Sequence, residues 1–270
     1  MPDFEAEHNA ILNEVDDLDE FVIGQTVKQL TNLRKRLIQT ISGLAGATLL
    51  QHYYHNILDA VNNEIKIFQS YFMEMVGNNF EKQWEYGVQI AQMLAEARGV
   101  SIAIPTQVAK DAIKTYINSE ASTLVDSLNA RLRLTLQRAF LGEQNLQQIL
   151  KEIADLIEGK RTLKMLVSRP TSALIGAFNK SAYLNTKYLI DSYPEQFKNV
   201  TKTWVWSHVQ RMNHAVIDGT TIPFNHRFRV PGWGSTPAAD MEGPHDDSAP
   251  IGQVIHCKCL LKIGGLDGEN

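Results

Sequence analysis

Apolar residues recur at helical spacing through most of the chain before residue 195. Residues 26–42 place Val27, Leu30, Leu33, Leu37 and Ile41 on one side of a helix. Gly43 and Gly46 loosen its end. Tyr54, Leu58, Val61, Ile65, Phe68, Phe72 and Met75 step alternately by four and three, a heptad seam that predicts one long helix lying along another. Gly77-Asn78-Asn79 predicts a break. Phe80, Trp84, Val88, Ile90, Met93 and Leu94 then mark a second helical stretch, closed by Gly99. Val100–Ile104 reads as a short extended connector before Pro105, with Thr106 able to start the next helix. In that helix Ile113, Ile117, Ala121, Leu124, Leu128, Leu132 and Leu136 share a face as far as about Gly142. Leu146, Ile149, Leu150, Ile153 and Ile157 form a shorter stripe stopped by Gly159. Pro170-Thr171 opens a last helix, with Leu174, Phe178, Ala182 and Leu189 aligned and Pro194 beyond its end.

The pattern changes after Thr201. Trp204, Val205 and Trp206 open a β-rich stretch, Asp218-Gly219 is a hairpin turn signal, and Thr220–Phe224 follows as a strand. Residues 231–250 are dense in Pro and Gly and predict a long irregular loop. Val254–Ile263 reads as the closing strand. The expected fold is mainly α, with long packed helices followed by a small α+β, loop-rich C-terminal module. Three segments are expected: residues 1–25 as an N-terminal arm, 26–160 as a helical body, and 161–270 as a C-terminal domain whose β-rich part is 201–263.

Charge sharpens the first boundary. Residues 1–20 hold eight acidic residues and no Lys or Arg, so the arm is acidic and reads as solvated. The remainder is near neutral, and no segment is basic enough to announce nucleic acid by charge alone. No run of about 18 apolar residues exists, so no membrane span is expected. No basic stretch precedes an apolar one at the N-terminus, so no secretory leader is expected either.

The candidate chemistry lies in the C-terminal module. Both cysteines of the chain, Cys257 and Cys259, are two residues apart, and five of the eight histidines fall between residues 208 and 256. In a strand, residues i and i+2 share a face, so both thiolates can meet one ion. His214 is the candidate third ligand, and His208, Asp218, His245 or His256 the fourth. Thiolate with imidazole favours Zn²⁺ in a tetrahedral site. The competing reading is two buried thiols packed as small hydrophobes, with His214 hydrogen-bonded to Asp218 or backbone. His214, Asp218 and Cys257 can also be drawn as a base, an orienting acid and a nucleophile. No phosphate loop, dinucleotide fingerprint or zinc-protease helix accompanies them. Trp204, Trp206, Arg211, Phe224, Arg227, Phe228 and Arg229 interleave rings with cations, a composition that can contact DNA by stacking and phosphate pairing.

These residues also carry a resemblance. Trp204 or Trp206, Arg211, His214, Asp218-Gly219, Pro223, Phe228 and finally His256-Cys257-Lys258-Cys259 follow one another in the order seen in the head-morphogenesis or minor capsid proteins of tailed phages, the family of the phage Mu F protein. His256 and Lys258 stand where that family's pattern has Asn and Arg, and Ala177-Phe178-Asn179-Lys180 replaces its upstream Arg-Thr-Glu step. The likeness covers about residues 204–262 and continues weakly through Arg138, Phe140 and Gly142. It implies a non-enzymatic structural protein of the virion, assembled in the host cytoplasm. The implied partners are the portal protein, the major capsid protein or a scaffold protein, with nonspecific contact to packaged DNA. The alternative is a metal-dependent hydrolase or nuclease built on the His/Asp/Cys cluster.

Overall fold

The computed structural model describes residues 4–44, 54–101, 107–143, 145–207 and 212–265. It is mainly helical, with long packed helices and a small C-terminal α+β module, as the periodicities predict. Two compact units emerge. One joins Met1–Glu20, Asn78–Thr115 and Thr171–Asn270; the other joins Phe21–Gly77 and Tyr116–Pro170. This division cuts across the sequential segments expected from the sequence, because long helices contribute to both units.

The second unit is built from the later part of α1 (Phe4–Leu44), the earlier part of α2 (Tyr54–Ala97), the later part of α3 (Gln107–Arg138) and α4 (Leu146–Glu158). Leu30, Leu33, Leu37 and Ile41 are buried from α1, and Val61, Ile65, Phe68 and Phe72 from α2. Leu124, Leu128, Leu132 and Leu136 are buried from α3, with Ile149, Ile153 and Ile157 from α4. The predicted stripes therefore hold, with local shifts. Val27 is exposed, and the buried row of α2 begins at Ile57 while Tyr54 and Leu58 are only half-buried. A π-helical turn, Ala139–Glu143, ends α3 near the expected Gly142. Asn145 caps α4 through a reciprocal bond with Gln148. Between α4 and the next long helix lie α5 (Lys160–Leu163) and a second π-helical turn, Lys164–Ser168.

The first unit contains the start of α1, and here the sequence reading needs correction. Residues from Phe4 onward are helix, and Ile11, Leu12, Val15 and His8 are buried in this unit's core. Asp19 pairs with Lys258, and Glu5 with Lys262 at 3.0 Å. With its apolar face buried and two of its acidic residues paired to lysines of the same unit, the stretch is docked and not a solvated arm. The expected break at Gly77-Asn78-Asn79 is also absent: α2 runs through it. A helical glycine costs about 1 kcal/mol, less than the burial of Met75, Val76, Phe80 and Trp84 on either side supplies. The helix ends as expected. Gly99 is left-handed, at φ 67, and Gly99 and Val100 donate to the carbonyls of Glu96 and Ala95. Of the expected connector, Val100 and Ser101 are described; Ile102–Thr106 lie outside the described residues.

α6 (Arg169–Ser192) packs on α2 within this unit through very small side chains. A Cβ added at Gly87 would stand 2.5 Å from the Ala182 backbone nitrogen. The Ser181 hydroxyl donates to the Trp84 carbonyl at 2.7 Å. After α6 come β1 (Thr201–Val205), α7 (Met212–Ala215), β2 (Thr221–Pro223), β3 (Phe228–Val230), β4 (Ala239–Met241), α8 (Ile251–Val254) and β5 (Leu260–Gly264). β1 is central in an antiparallel sheet of order β2-β1-β5, pairing Trp204 with Leu261 and Thr203 with Thr221. β3 and β4 form a separate ribbon with Phe228 opposite Met241.

Two expectations shift here. Asp218-Gly219 does turn the chain into β2, but α7 intervenes, so β1 and β2 are not a tight hairpin. The 231–250 loop holds β4 and a Trp233–Thr236 bridge. The closing strand is shorter than Val254–Ile263, because α8 and a turn occupy its first half and leave both cysteines just ahead of β5.

A buried histidine and two cysteines as a candidate metal centre

Trp204 points inward from β1, fully buried, as the alternation of that strand demands. The Asp218-Gly219 turn then fixes α7 against it. The Gly219 amide donates to the Trp204 carbonyl at 2.9 Å from a left-handed backbone at φ 70, which favours glycine. The Asp218 carboxylate accepts the Trp206 amide at 2.9 Å. Asp218 is therefore spent on closing the turn, and it is exposed. His214, on α7, is brought edge-on to the Trp204 ring at 5.3 Å.

Cys257 and Cys259 approach from the other side. Neither lies in a strand, so the i, i+2 argument does not place them; a turn does. The Cys257 amide donates to the Val254 carbonyl at 3.0 Å, and His256 adopts a left-handed conformation at φ 59. The Cys259 amide then points at the Cys257 sulfur, 3.4 Å away. His214 Nδ1 stands 3.6 Å from Cys257 Sγ and 3.5 Å from Cys259 Sγ. All three residues are fully buried, and their donor atoms lie within 4.8 Å of one another. This group can hold a metal ion.

The protonation of the ring follows from its far side. Gln253 Nε2 donates to the Pro237 carbonyl at 2.9 Å and the Pro231 carbonyl at 3.1 Å, both pure acceptors. Its Oε1 accepts from Asn213 Nδ2 at 2.8 Å. The remaining contact of Oε1, at 3.0 Å, is His214 Nε2, which must donate. In the neutral ring Nδ1 then carries the lone pair, aimed between two sulfurs. One lone pair cannot bond fully to two thiol hydrogens, whereas a shared ion accounts for both distances. Around tetrahedral Zn²⁺, S and N ligand atoms stand about 3.5 Å apart, given Zn–S of about 2.3 Å and Zn–N of about 2.0 Å.

The surroundings favour thiolate. The Cys259 thiol is pulled below the ordinary thiol range, first by its hydrogen bond with Cys257, against burial pushing it up. The buried Trp204 indole N–H has no acceptor within ordinary bonding limits, and the thiolate of Cys259 gains from it.

His245 is not part of the donor group. Asn179, on α6, accepts the Leu261 amide and donates to the Cys259 carbonyl, both at 2.8 Å, which fixes its amide orientation. Asn179 Nδ2 also faces His245 Nδ1 at 3.0 Å, so His245 Nε2–H donates to the Cys257 carbonyl at 2.9 Å. His245 and Asn179 thus clamp the backbone of the two cysteines. Gly176 leaves room for that ring, since an added Cβ would stand 3.2 Å from it. His245 is held in a left-handed conformation at φ 63, a strained state for a non-glycine residue. His256 is partly buried and outside the donor group among the described residues. His208 and Arg211 lie outside the described residues.

Gln253 and Asn213 were not singled out in the sequence, and Asn179 only as part of the Ala177–Lys180 stretch, because an amide carries no ligand or nucleophile signature. The ring-and-cation interleaving resolves into core and ion pairs. Trp204, Phe224 and Phe228 are buried, Arg227 pairs with Glu242 at 3.2 Å and Arg229 with Asp240 at 3.0 Å. Those three rings offer no stacking platform to a nucleic acid. No described helix is long and apolar enough to cross a membrane. Comparisons with models of protein families, with curated proteins and with solved structures found no match.

Proposed function

We propose that the chain is a structural assembly protein of the head-morphogenesis or minor capsid type. In this reading it belongs to a tailed-phage virion, bound at the portal or the inner capsid surface, with the portal, major capsid or scaffold protein as partner. Its C-terminal module is a non-catalytic domain stabilised by Zn²⁺ on His214 Nδ1, Cys257 and Cys259. One observation supports the structural part most: the residues that carry the family likeness meet in a closed core. Trp204 packs on His214, Asp218-Gly219 holds both in place, and the two cysteines converge on the same ring.

Zn²⁺ fits the donor chemistry. Two thiolates and one imidazole are its preferred ligands, and the Cys259 amide N–H offers hydrogen to the Cys257 sulfur. Bound there, the ion would supply charge neutralisation and cross-linking of α7 to the turn before β5. His208 is the remaining sequence candidate for a fourth donor. The hydrolase or nuclease alternative requires substrate to reach these atoms. Full burial of all three donors speaks against it, because a nucleophile or Lewis acid needs an open position.

The assembly role is tested by isolating portal complexes and procapsids from infected cells. Recovery of the protein with them is expected. Its absence from procapsids and mature virions alike would overturn the reading.

A further inference from the structure

We infer that Gln253 is the positioning residue of the metal centre: it selects Nδ1 of His214 as the ligand atom and ties that choice to closure of the 231–237 loop. The inference rests on the metal reading above. Gln253 is fully buried, an unusual place for a primary amide, and each of its hydrogen-bonding groups is used. Nε2 donates to the carbonyls of Pro231 and Pro237, the two ends of one loop. Oε1 receives Asn213 Nδ2 and His214 Nε2–H. Asn213 also reaches the Pro231 carbonyl at 3.1 Å, closing a ring of contacts.

Orientation follows without ambiguity. The two proline carbonyls can only accept, so the amide nitrogen must face them. The amide oxygen is thereby turned to α7 and can only accept. The proton of neutral His214 is held on Nε2, and Nδ1 is left as the sole donor atom toward sulfur. If the amide were reversed, or replaced by an apolar side chain, the imidazole would have no reason to keep that tautomer. A proton on Nδ1 would then point at the two sulfurs, where a cation must bind. Gln253 also sits on α8, four residues before Cys257 and next to the turn that delivers it. One side chain thus links the histidine half and the cysteine half of the centre. The packing of Gly252 supports the same closure, since a Cβ there would stand 2.1 Å from Thr236 Oγ1.

The experiment uses the full chain with Zn²⁺ and Co²⁺ as probes. Long-range ¹H–¹⁵N spectra of metal-free wild type should show the proton of His214 on Nε2. Gln253→Leu should lose that preference and weaken Zn²⁺ binding by about 10–100-fold in chelator competition. Gln253→Glu keeps an acceptor for Nε2–H but cannot donate to the prolines. It should therefore retain the tautomer and the sulfur-to-Co²⁺ charge-transfer band while melting at a lower temperature. If Gln253→Leu does not fold, wild type and Gln253→Glu decide. A wild-type proton on Nδ1, or a glutamate variant with altered tautomer, would overturn the inference. Equal affinity of folded Gln253→Leu and wild type would overturn it while leaving the metal reading intact. No metal uptake by wild type would overturn both.

Discussion

Replacing either cysteine should have two separable consequences. Cys257→Ser or Cys259→Ser removes a thiolate donor, so Zn²⁺ affinity should fall by more than about 100-fold, beyond the loss typical of a ligand's supporting partner. Titration against a chelator reads this directly. If the thiols were only packed hydrophobes, each change would leave metal content unaltered and cost about 1–3 kcal/mol for a buried hydroxyl. A second residue makes a pH prediction. Lys202, on β1, is buried with its ammonium over the rings of Tyr183, Phe224 and Phe228, and it donates to the Glu242 carbonyl at 2.6 Å. Burial lowers its pKa from 10.5 to about 8, with Glu242 opposing. Between those values the folded chain has shed a proton that the unfolded chain still binds, so this group's contribution to stability rises with pH. The melting temperature of wild type relative to Lys202→Met should therefore increase from pH 8 to pH 10. A flat difference would show that Lys202 stays charged in the fold. The residue types of the centre were legible, because Cys and His are rare and chemically marked. The amides that orient them were not, because their meaning depends on carbonyls at Pro231 and Pro237 that only the tertiary fold brings near.

Among the elements, α2 is where local propensity and packing part company. Gly77 was expected to break the helix, yet its position is helical and a Cβ there would meet nothing within 4 Å. Gly77→Ala should stabilise the protein by about 0.5–1 kcal/mol, since it removes backbone freedom from the unfolded chain at no steric cost. Gly87, one face further along, should respond in the opposite sense. Its missing Cβ lets α6 approach, and Gly87→Ala should cost about 1–3 kcal/mol as the helices are forced apart. Denaturant unfolding of the two variants checks both signs. The long helices were readable because each buries a 3.6-period stripe over many turns. Of the strands, β2 was legible within Thr220–Phe224 and β5 within Val254–Ile263, but β3 and β4 were not, since three residues each are too short for alternation to register. Strand pairing is set by turns such as Asp218-Gly219 and by buried side chains such as Phe228 and Met241.

At the scale of the molecule, the two compact units differ from the sequential division into arm, body and C-terminal domain, because α1, α2 and α3 each serve both units. Nothing in a helical stripe marks the position at which its buried face changes partners. The C-terminal module was legible as a distinct chemistry, and its core is one with Ile11, Leu12 and Val15 of α1 and with Ile90 and Leu94 of α2. Removing metal should therefore lower the thermal stability of the unit holding Thr171–Asn270. The Phe21–Gly77 and Tyr116–Pro170 unit, whose buried stripes contain no donor to the centre, should keep its helical circular-dichroism signal. The most direct measurement is zinc X-ray absorption on the full chain purified without added chelator. One zinc per chain is expected, with two sulfur neighbours at about 2.3 Å and nitrogen at about 2.0 Å. Substoichiometric metal that exchanges freely, or a coordination shell without sulfur, would contradict a centre built on His214, Cys257 and Cys259.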